Sequence, residues 1–166
     1  GDVAWADWIG ADGILYSPQT PMLNDIYVIQ QMYGASTTTR TDNTVYGFNS
    51  TITGTSGQIF DFVRNLNPIL TIYDSAGVDT LDLSGWSTPS IIDIRPGAFS
   101  SANSMTNNIA IARNTNIENA RGGSGADKIY GNSLGNILWG GGGDDEIRGL
   151  GGADVIYGDG GNDRRF

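Results

Sequence analysis

A nine-residue period occupies the last 45 residues of the chain and constrains its fold more than any other feature. It begins at Gly122 and repeats five times without a gap, as units one to five: GGSGADKIY, GNSLGNILW, GGGGDDEIR, GLGGADVIY and GDGGNDRRF. Glycine opens every unit, Asp or Asn is sixth, and an aliphatic residue is eighth except in unit five, where Arg165 stands. This pattern is typical of calcium-binding parallel β-helices.

The period predicts short strands joined by tight turns. The seventh to ninth residues of each unit would form a strand whose middle side chain points inward, so each unit adds one aliphatic side chain to a thin core. The six preceding residues must turn tightly, which explains the glycines. We expect two units to complete one coil, so that residues 18 apart stack directly. A disordered glycine-rich linker is the alternative, but it gives no reason for this register to persist.

The turns offer the ligands that Ca²⁺ prefers, which are about six to eight hard oxygens. Backbone carbonyls and one carboxylate from each unit would converge between neighbouring coils. The first predicted site uses Gly123, Gly125, Asp127, Gly140, Gly142 and Asp145. The second, on the same edge, uses Gly141, Gly143, Asp145, Gly158, Gly160 and Asp163. The third, on the opposite edge, uses Asn132, Leu134, Asn136, Gly149, Gly151 and Asp154. We expect it to bind more weakly, because Asn136 carries no charge.

Composition excludes several classes of function. The net charge of −9 argues against nucleic-acid binding, which needs a basic surface. Histidine is absent, so a histidine-ligated catalytic zinc site or Ser–His chemistry cannot operate on this chain alone. There is no cysteine for disulfides and no apolar run near the ~20 residues of a membrane span. The chain starts without a signal peptide and stops within the run of repeats, so we interpret it as an excised piece.

The sequence before the repeats predicts one helix followed by strands. The helix covers 21–33, with Thr20 as its N-cap and Gly34 as its stop. Its predicted buried stripe is Leu23, Ile26, Tyr27 and Gln30. Short apolar runs predict strands at Thr44–Phe48, Ile59–Val63, Ile69–Tyr73, Thr80–Leu83, Ile91–Ile94 and Ile109–Ala112. The predicted fold is therefore mainly β, a β-sandwich running into a right-handed parallel β-roll, with one N-terminal α-helix.

The helix at 21–33, the segment 39–50, the tetrapeptide 117–120 and the RTX-type repeats together resemble the serralysins. These are secreted bacterial zinc metalloendopeptidases of the metzincin clan with a calcium-loaded β-roll domain. The likeness runs from about Asp12 onward. It implies a protease-domain remnant over 1–36, a sandwich over 37–120 and a truncated roll over 121–166. The family's zinc-binding helix would lie upstream, so the resemblance places neither Zn²⁺ nor catalysis on this chain.

The resemblance also implies two calcium sites before the repeats. The first uses Arg40, Asp42 and Thr44 together with Asp74, Ala76 and Asp79. The second uses Gly77 and Asp79 together with Asn116 and Glu118. Without the family, the segment 73–79 is an Asp- and Gly-containing turn between strands, and this reading stays open.

The predicted function is calcium-driven folding and stabilisation of an exported protease. The partners would be several calcium ions and the missing N-terminal protease domain, and the parent protein would act on protein substrates. The resemblance implies an extracellular location reached by type I secretion. Two alternatives remain: one piece of a nicked but active protease, and a free-standing adhesin or carbohydrate-binding roll.

Overall fold

The structure is a computed structural model that describes residues 8–9 and 12–166. The rest of the predicted protease remnant, residues 1–7, 10 and 11, lies outside the described part. The prediction of a mainly β fold is confirmed. The strands are β1 Trp8–Ile9, β2 Leu15–Tyr16, β3 Val45–Gly47, β4 Leu70–Ile72, β5 Thr80–Asp82, β6 Ile91–Asp93, β7 Phe99–Ser100, β8 Ile109–Ile111, β9 Asn119–Arg121, β10 Lys128–Tyr130, β11 Ile137–Gly142, β12 Glu146–Arg148, β13 Val155–Gly160 and β14 Arg164–Arg165. The helices are α1 Leu23–Tyr33 and α2 Gly54–Phe60.

The repeats form two parallel sheets, as the period predicts. Strands from consecutive units belong to different sheets, with the orders β14-β12-β10-β6 and β13-β11-β9-β5-β3. Ile129 pairs with Ile147 in the first sheet, and Leu138 pairs with Ile156 in the second. Each pair is separated by 18 residues, which confirms that two units complete one coil.

Both sheets of the roll continue into the sequence before Gly122. In one sheet β10 pairs with β6, which places Ile129 beside Ile92. In the other sheet β11 pairs with β9, and β5 and β3 follow in parallel. A third sheet, with the order β4-β8-β7, contains an antiparallel pair between β7 and β8. The segment predicted as a sandwich and the roll therefore share sheets, and pairing is continuous across Arg121.

The inward positions of the repeats extend the core of the preceding segment. Ile129, Leu138 and Ile147 are fully buried and join a cluster that includes Leu81 and Ile92. The burial decreases toward the last unit. Ile156 is half-buried, and Arg165, at the eighth position of unit five, is exposed. The roll is therefore packed most tightly where it meets the earlier strands.

The N-terminal helix is confirmed, but its start and its buried stripe differ from the prediction. Helix α1 begins at Leu23, and the Thr20 hydroxyl accepts a hydrogen bond from the Thr71 N–H (2.8 Å) and does not cap the helix. Leu23 and Gln30 are buried, whereas Tyr27 is 40% exposed, so the predicted stripe is wrong at Tyr27. Neither helix in the described part of the chain has the length and apolar character that crossing a membrane requires.

A second helix occupies a segment that was predicted to be a strand. The prediction of a strand over Ile59–Val63, and with it the prediction of a single helix, is wrong because α2 covers Gly54–Phe60. A short apolar run does not by itself distinguish a strand from a buried helical turn. Here the chain leaves the helix in an extended conformation, so Phe60 and Phe62 both reach the core.

The turns of the five units fall into two conformational groups. In units three to five, the second and fourth residues have positive φ angles: Gly141 (95°), Leu150 (73°), Asp159 (65°), Gly143 (100°), Gly152 (96°) and Gly161 (132°). No residue of units one and two, residues 122–139, has a positive φ. Left-handed backbone costs little for glycine but roughly 1–2 kcal/mol for most other residues.

Replacing Leu150 by glycine should raise the free energy of unfolding by about 1 kcal/mol, because glycine adopts the left-handed backbone without a Cβ penalty. Leu150 is 55% exposed, so little packing would be lost. Urea denaturation in saturating Ca²⁺ measures the change. Leu150→Ala is the matched control, since it removes the same apolar atoms and keeps the Cβ. Equal stabilities of the two variants would contradict the assignment of strain to this position.

Candidate metal centre

A line of carboxylates runs along one edge of the roll, at the residue that precedes each strand of the first sheet. The Ser90 N–H donates to Asp127 Oδ1 (2.6 Å). The Asp127 N–H donates to Asp145 Oδ1 (2.7 Å), and the Asp145 N–H donates to Asp163 Oδ1 (3.1 Å). Each coil therefore fixes one carboxylate oxygen of the next coil. The sixth-position aspartates of units one, three and five are aligned, as the repeat predicts.

The second carboxylate oxygen distinguishes Asp145 from Asp127. Asp127 Oδ2 accepts a hydrogen bond from the Gly123 N–H (2.8 Å). Asp145 is 2% exposed, and its Oδ2 is buried without a hydrogen-bond partner. A buried carboxylate oxygen without a partner is costly. A bound cation would satisfy it.

Backbone carbonyls lie close to this oxygen, at the second predicted site. A Cβ on Gly140 would overlap Asp145 Oδ2 and would lie 2.6 Å from the Gly158 carbonyl oxygen, so both oxygens flank the same glycine. The other predicted ligands lie in the turns of units three and five, which stack on each other. Gly141 contacts Gly160, Gly143 contacts Gly161, and Asp163 contacts Gly158. Carbonyls with a carboxylate form the donor set that Ca²⁺ prefers, so these residues fit the ion.

The first predicted site is built from the turns of units one and three. The Gly142 N–H donates to the Gly123 carbonyl (2.8 Å), which stacks the two turns. Gly122 is flanked by the Gly140 carbonyl oxygen and by Asp127 Oδ2. The two remaining predicted ligands are Gly125, which lies against Gly143, and Asp145. The structure thus brings this set together.

The third predicted site, on the opposite edge, is closed by amide hydrogen bonds. Asn136 Oδ1 accepts from the Asn132 N–H (2.8 Å), and Asn136 Nδ2 donates to the Glu118 carbonyl (2.9 Å). Asn132 Oδ1 accepts from the Leu134 N–H (2.9 Å). The facing residues are Gly149, which lies beside Gly131, Gly151, whose N–H donates to the Asn132 carbonyl, and Asp154, which accepts from the Asn136 N–H. The weaker affinity of this set stays a prediction.

The same edge continues toward the N-terminus through residues of the two sites implied by the resemblance. The Thr44 N–H donates to Asp79 Oδ1, and the Asp79 N–H donates to Glu118 Oε2, both at 2.8 Å. A Cβ on Gly77 would lie 2.7 Å from the Asp42 carbonyl oxygen and 2.9 Å from Asp79 Oδ1. Asp42, Gly77, Asp79 and Glu118 are therefore brought together.

The remaining residues of these two sites have other contacts. Asp74 Oδ2 accepts from the Tyr46 hydroxyl (2.6 Å), and its Oδ1 accepts from the Ala76 N–H (3.2 Å). The Arg40 guanidinium donates to the Tyr73 carbonyl (2.6 Å), which leaves its own carbonyl as the possible ligand. Asn116 is exposed.

Burial of the aligned carboxylates disfavours their charged forms. Burial raises the pKa of Asp145 to about 6, and the charges of Asp127 and Asp163 act in the same direction. Burial also raises the pKa of Asp79 to about 7, with a contribution from the charge of Glu118. The pKa of Asp127 is raised by burial as well. A divalent cation at these positions would stabilise the charged carboxylates.

Carboxylate side chains alone do not build a metal cage here. Within residues 8–9 and 12–166, no three His, Cys, Asp or Glu side chains form a group able to hold an ion. Each candidate calcium site thus depends on backbone carbonyls, whose positions are set by the turns. Ser90, whose N–H begins one line of hydrogen bonds, was not among the predicted site residues, because it lies outside the nine-residue period. Thr44, whose N–H begins the other line, was indicated only by the resemblance.

Comparison with known proteins identifies the group to which this architecture belongs. The family model described as Peptidase M10 serralysin C terminal matches residues 35–163. The chain belongs to the serralysin family. Serralysin of Proteus mirabilis is 44% identical over 120 residues, which are 71% of this chain and 24% of that protein. Metalloprotease AprA of Pseudomonas entomophila is 38% identical over 139 residues, 80% of this chain and 27% of that protein.

A third relative, serralysin C of Dickeya chrysanthemi, is 44% identical over 118 residues, 71% of this chain and 24% of that protein. The chain thus spans about a quarter of the length of the curated relatives that it matches. The matched part is the C-terminal domain that the family model describes.

Proposed function

We propose that this chain is the calcium-dependent folding and stability module of a secreted zinc metalloendopeptidase. The observation that carries the proposal is the buried, unpartnered Asp145 Oδ2 between aligned carboxylates. Without a cation, burial and mutual repulsion of these groups oppose winding of the roll. An ion at 100 times its dissociation constant adds about 2.7 kcal/mol to the folded state. Two or three such ions would decide whether the thin outer coils form.

Coupling of metal binding to folding would suit an exported protein. Where calcium is scarce, the acidic repeats would remain unwound, and they would fold on reaching a calcium-rich exterior. The net charge of −9 supports this coupling, because a strongly acidic chain repels itself in the compact state until cations bind. Type I export and an extracellular location are part of this proposal.

The catalytic zinc site of the parent protein would lie in a separate N-terminal part. The chain has no histidine, so the zinc ligands and the attack on protein substrates must come from that part. Helix α1 offers a surface for it, because Val28, Ile29 and Met32 are all more than half exposed. An apolar helix face of this kind is expected to pack against another part of the protein.

Circular dichroism of the chain in EGTA and then in millimolar Ca²⁺ tests the proposal. We expect the β signal of the roll to be weak in EGTA and to appear on titration with Ca²⁺, because ion binding and winding are coupled. Mg²⁺ at the same concentration is the control, since it prefers a smaller octahedral site and retains its water. A spectrum that is identical in EGTA and in Ca²⁺ would refute calcium-driven folding.

A further inference from the structure

We propose that the roll has two parts with different metal requirements. The first coil keeps its structure without calcium, and the remainder needs calcium to stay folded. The first coil comprises units one and two, residues 122–139, and the calcium-dependent part comprises units three to five, residues 140–166. This inference rests on the proposed function and specifies the unit at which calcium-dependent folding begins.

The first coil is joined to the preceding strands by direct hydrogen bonds along one edge. The Ser124 N–H donates to the Trp86 carbonyl, and the Lys128 N–H donates to the Ser90 carbonyl, both at 2.9 Å. The Ser90 N–H in turn donates to Asp127. The turn of unit one also lies against the loop at residues 87–89, which a Cβ on Gly125 would contact at 2.6 Å. These contacts join protein groups directly.

Amide side chains join the same coil to the preceding strands along the other edge. Asn132 Nδ2 donates to the Ile117 carbonyl (2.7 Å), and Asn136 Nδ2 donates to the Glu118 carbonyl (2.9 Å). Both asparagines are buried, at 3% and 1% exposure. Buried amides with complete hydrogen bonding hold neighbouring segments in a single register. This edge of the coil is thus closed by neutral groups.

The sixth-position side chains of the first coil have complete hydrogen bonding. Asp127 accepts a backbone N–H at each oxygen, from Ser90 and from Gly123. Asn136 uses its oxygen and its NH₂ group and carries no charge. One carboxylate is therefore buried in this coil, and two N–H donors offset part of the cost of burying it.

Units three to five have the opposite character. All three of their sixth positions are aspartates, and Asp145 Oδ2 is buried without a partner. Their second and fourth residues are left-handed, including Leu150 and Asp159, which are not glycine. Their apolar contribution is smaller, because Ile156 is half-buried and Arg165 is exposed. These units contain the buried charge and the backbone strain that a bound cation would offset.

The first coil should therefore act as a template. Its strands already extend both sheets, so residues from Gly140 onward can add to a preformed edge, which avoids the cost of nucleation. Calcium binding at Asp145 would stabilise that addition, and winding would proceed from unit three toward unit five.

Hydrogen–deuterium exchange of the whole chain in EGTA and in Ca²⁺ tests this order. In EGTA, the strand amides of 128–130 and 137–139 should exchange at least tenfold more slowly than those of 146–148 and 155–157. Ca²⁺ should slow the second group at least 100-fold and the first group much less. Equal and fast exchange of both groups in EGTA, with protection of both in Ca²⁺, would overturn the inference and leave calcium-driven folding intact. Protection of both groups in EGTA would overturn the inference and the proposed function together.

A variant of the amide contacts gives a second measurement. Asn132→Ala should speed exchange of 137–139 in EGTA at least tenfold, because it removes the donor to the Ile117 carbonyl and the acceptor for the Leu134 N–H. Saturating Ca²⁺ should restore protection, which shows that the variant still folds. Ser133→Ala is the control, because Ser133 is the exposed neighbour in the same turn. Identical exchange in the two variants in EGTA would contradict the role of the amides.

Discussion

Replacing Asp145 by asparagine should weaken Ca²⁺ binding to the roll at least tenfold, or about 1.4 kcal/mol. Asparagine keeps an oxygen that can accept the Asp127 N–H. It replaces the unpartnered Oδ2 by an NH₂ group, which would donate toward the Gly158 carbonyl and displace the cation. The variant loses one charge and one ligand from the two sites that share Asp145. Calorimetric titration with Ca²⁺ measures the affinity.

The same variant should behave differently when calcium is removed. Burial raises the pKa of Asp145 to about 6, so its charged form destabilises the metal-free fold near neutral pH. In EGTA the asparagine variant should therefore be at least as stable as the unsubstituted chain, and in Ca²⁺ it should be less stable. Asp144→Asn is the matched control. Asp144 is exposed and adjacent in sequence to Asp145, and the substitution removes the same charge. A similar loss of affinity in both variants would point to general charge and contradict a specific role for Asp145.

Replacing Gly141 by alanine should destabilise the folded, calcium-bound chain by about 3 kcal/mol, the upper end of the cost of a forced backbone conformation. Two effects act together. The φ angle of Gly141 is 95°, which L side chains rarely adopt. A Cβ would also overlap the carbonyl oxygen of Gly123, the oxygen that accepts the Gly142 N–H between the two turns. Urea denaturation in saturating Ca²⁺ measures the loss.

Gly142→Ala is the matched control for this prediction. Gly142 lies in the same turn, lacks a positive φ, and a Cβ there would meet the Ser124 Cα at 3.6 Å, an ordinary contact. We expect its stability to stay within about 0.5 kcal/mol of the unsubstituted chain. If the two alanine variants lost the same stability, the effect would come from general loss of glycine flexibility and not from the left-handed turn of unit three.

The continuity of the two sheets joins the first coil of the roll to the earlier strands. Ile92 pairs with Ile129 in one sheet, and Ala120 pairs with Leu138 in the other. All four are fully or almost fully buried. Damage to the first coil should therefore reach the preceding segment, whereas the outer units can fray from the end.

The sequence by itself determined the repeating part of the molecule. The nine-residue period predicts a tight turn followed by a short strand in every unit, because glycines permit the turn and an aliphatic residue at the eighth position faces inward. Strand position, the 18-residue stacking of Ile129 on Ile147 and the alignment of Asp127, Asp145 and Asp163 all follow from that repetition. These properties are local, and the same residue pattern specifies them in each unit.

Only the tertiary structure decided the features that depend on contacts between distant segments. The strands β3, β5 and β6 join the sheets of the roll, yet the spacing between them is irregular, so no period indicates their register. Helix α2 forms where an isolated apolar run favoured a strand, because Phe60 and Phe62 reach the core from that conformation. The difference between Asp127 and Asp145 has the same origin. The two occupy equivalent positions in their units. The turn of unit one packs against the loop at residues 87–89, and its Gly123 N–H donates to Asp127 Oδ2. The turn of unit three packs on unit one with a left-handed Gly141, and Asp145 Oδ2 is left without a protein donor.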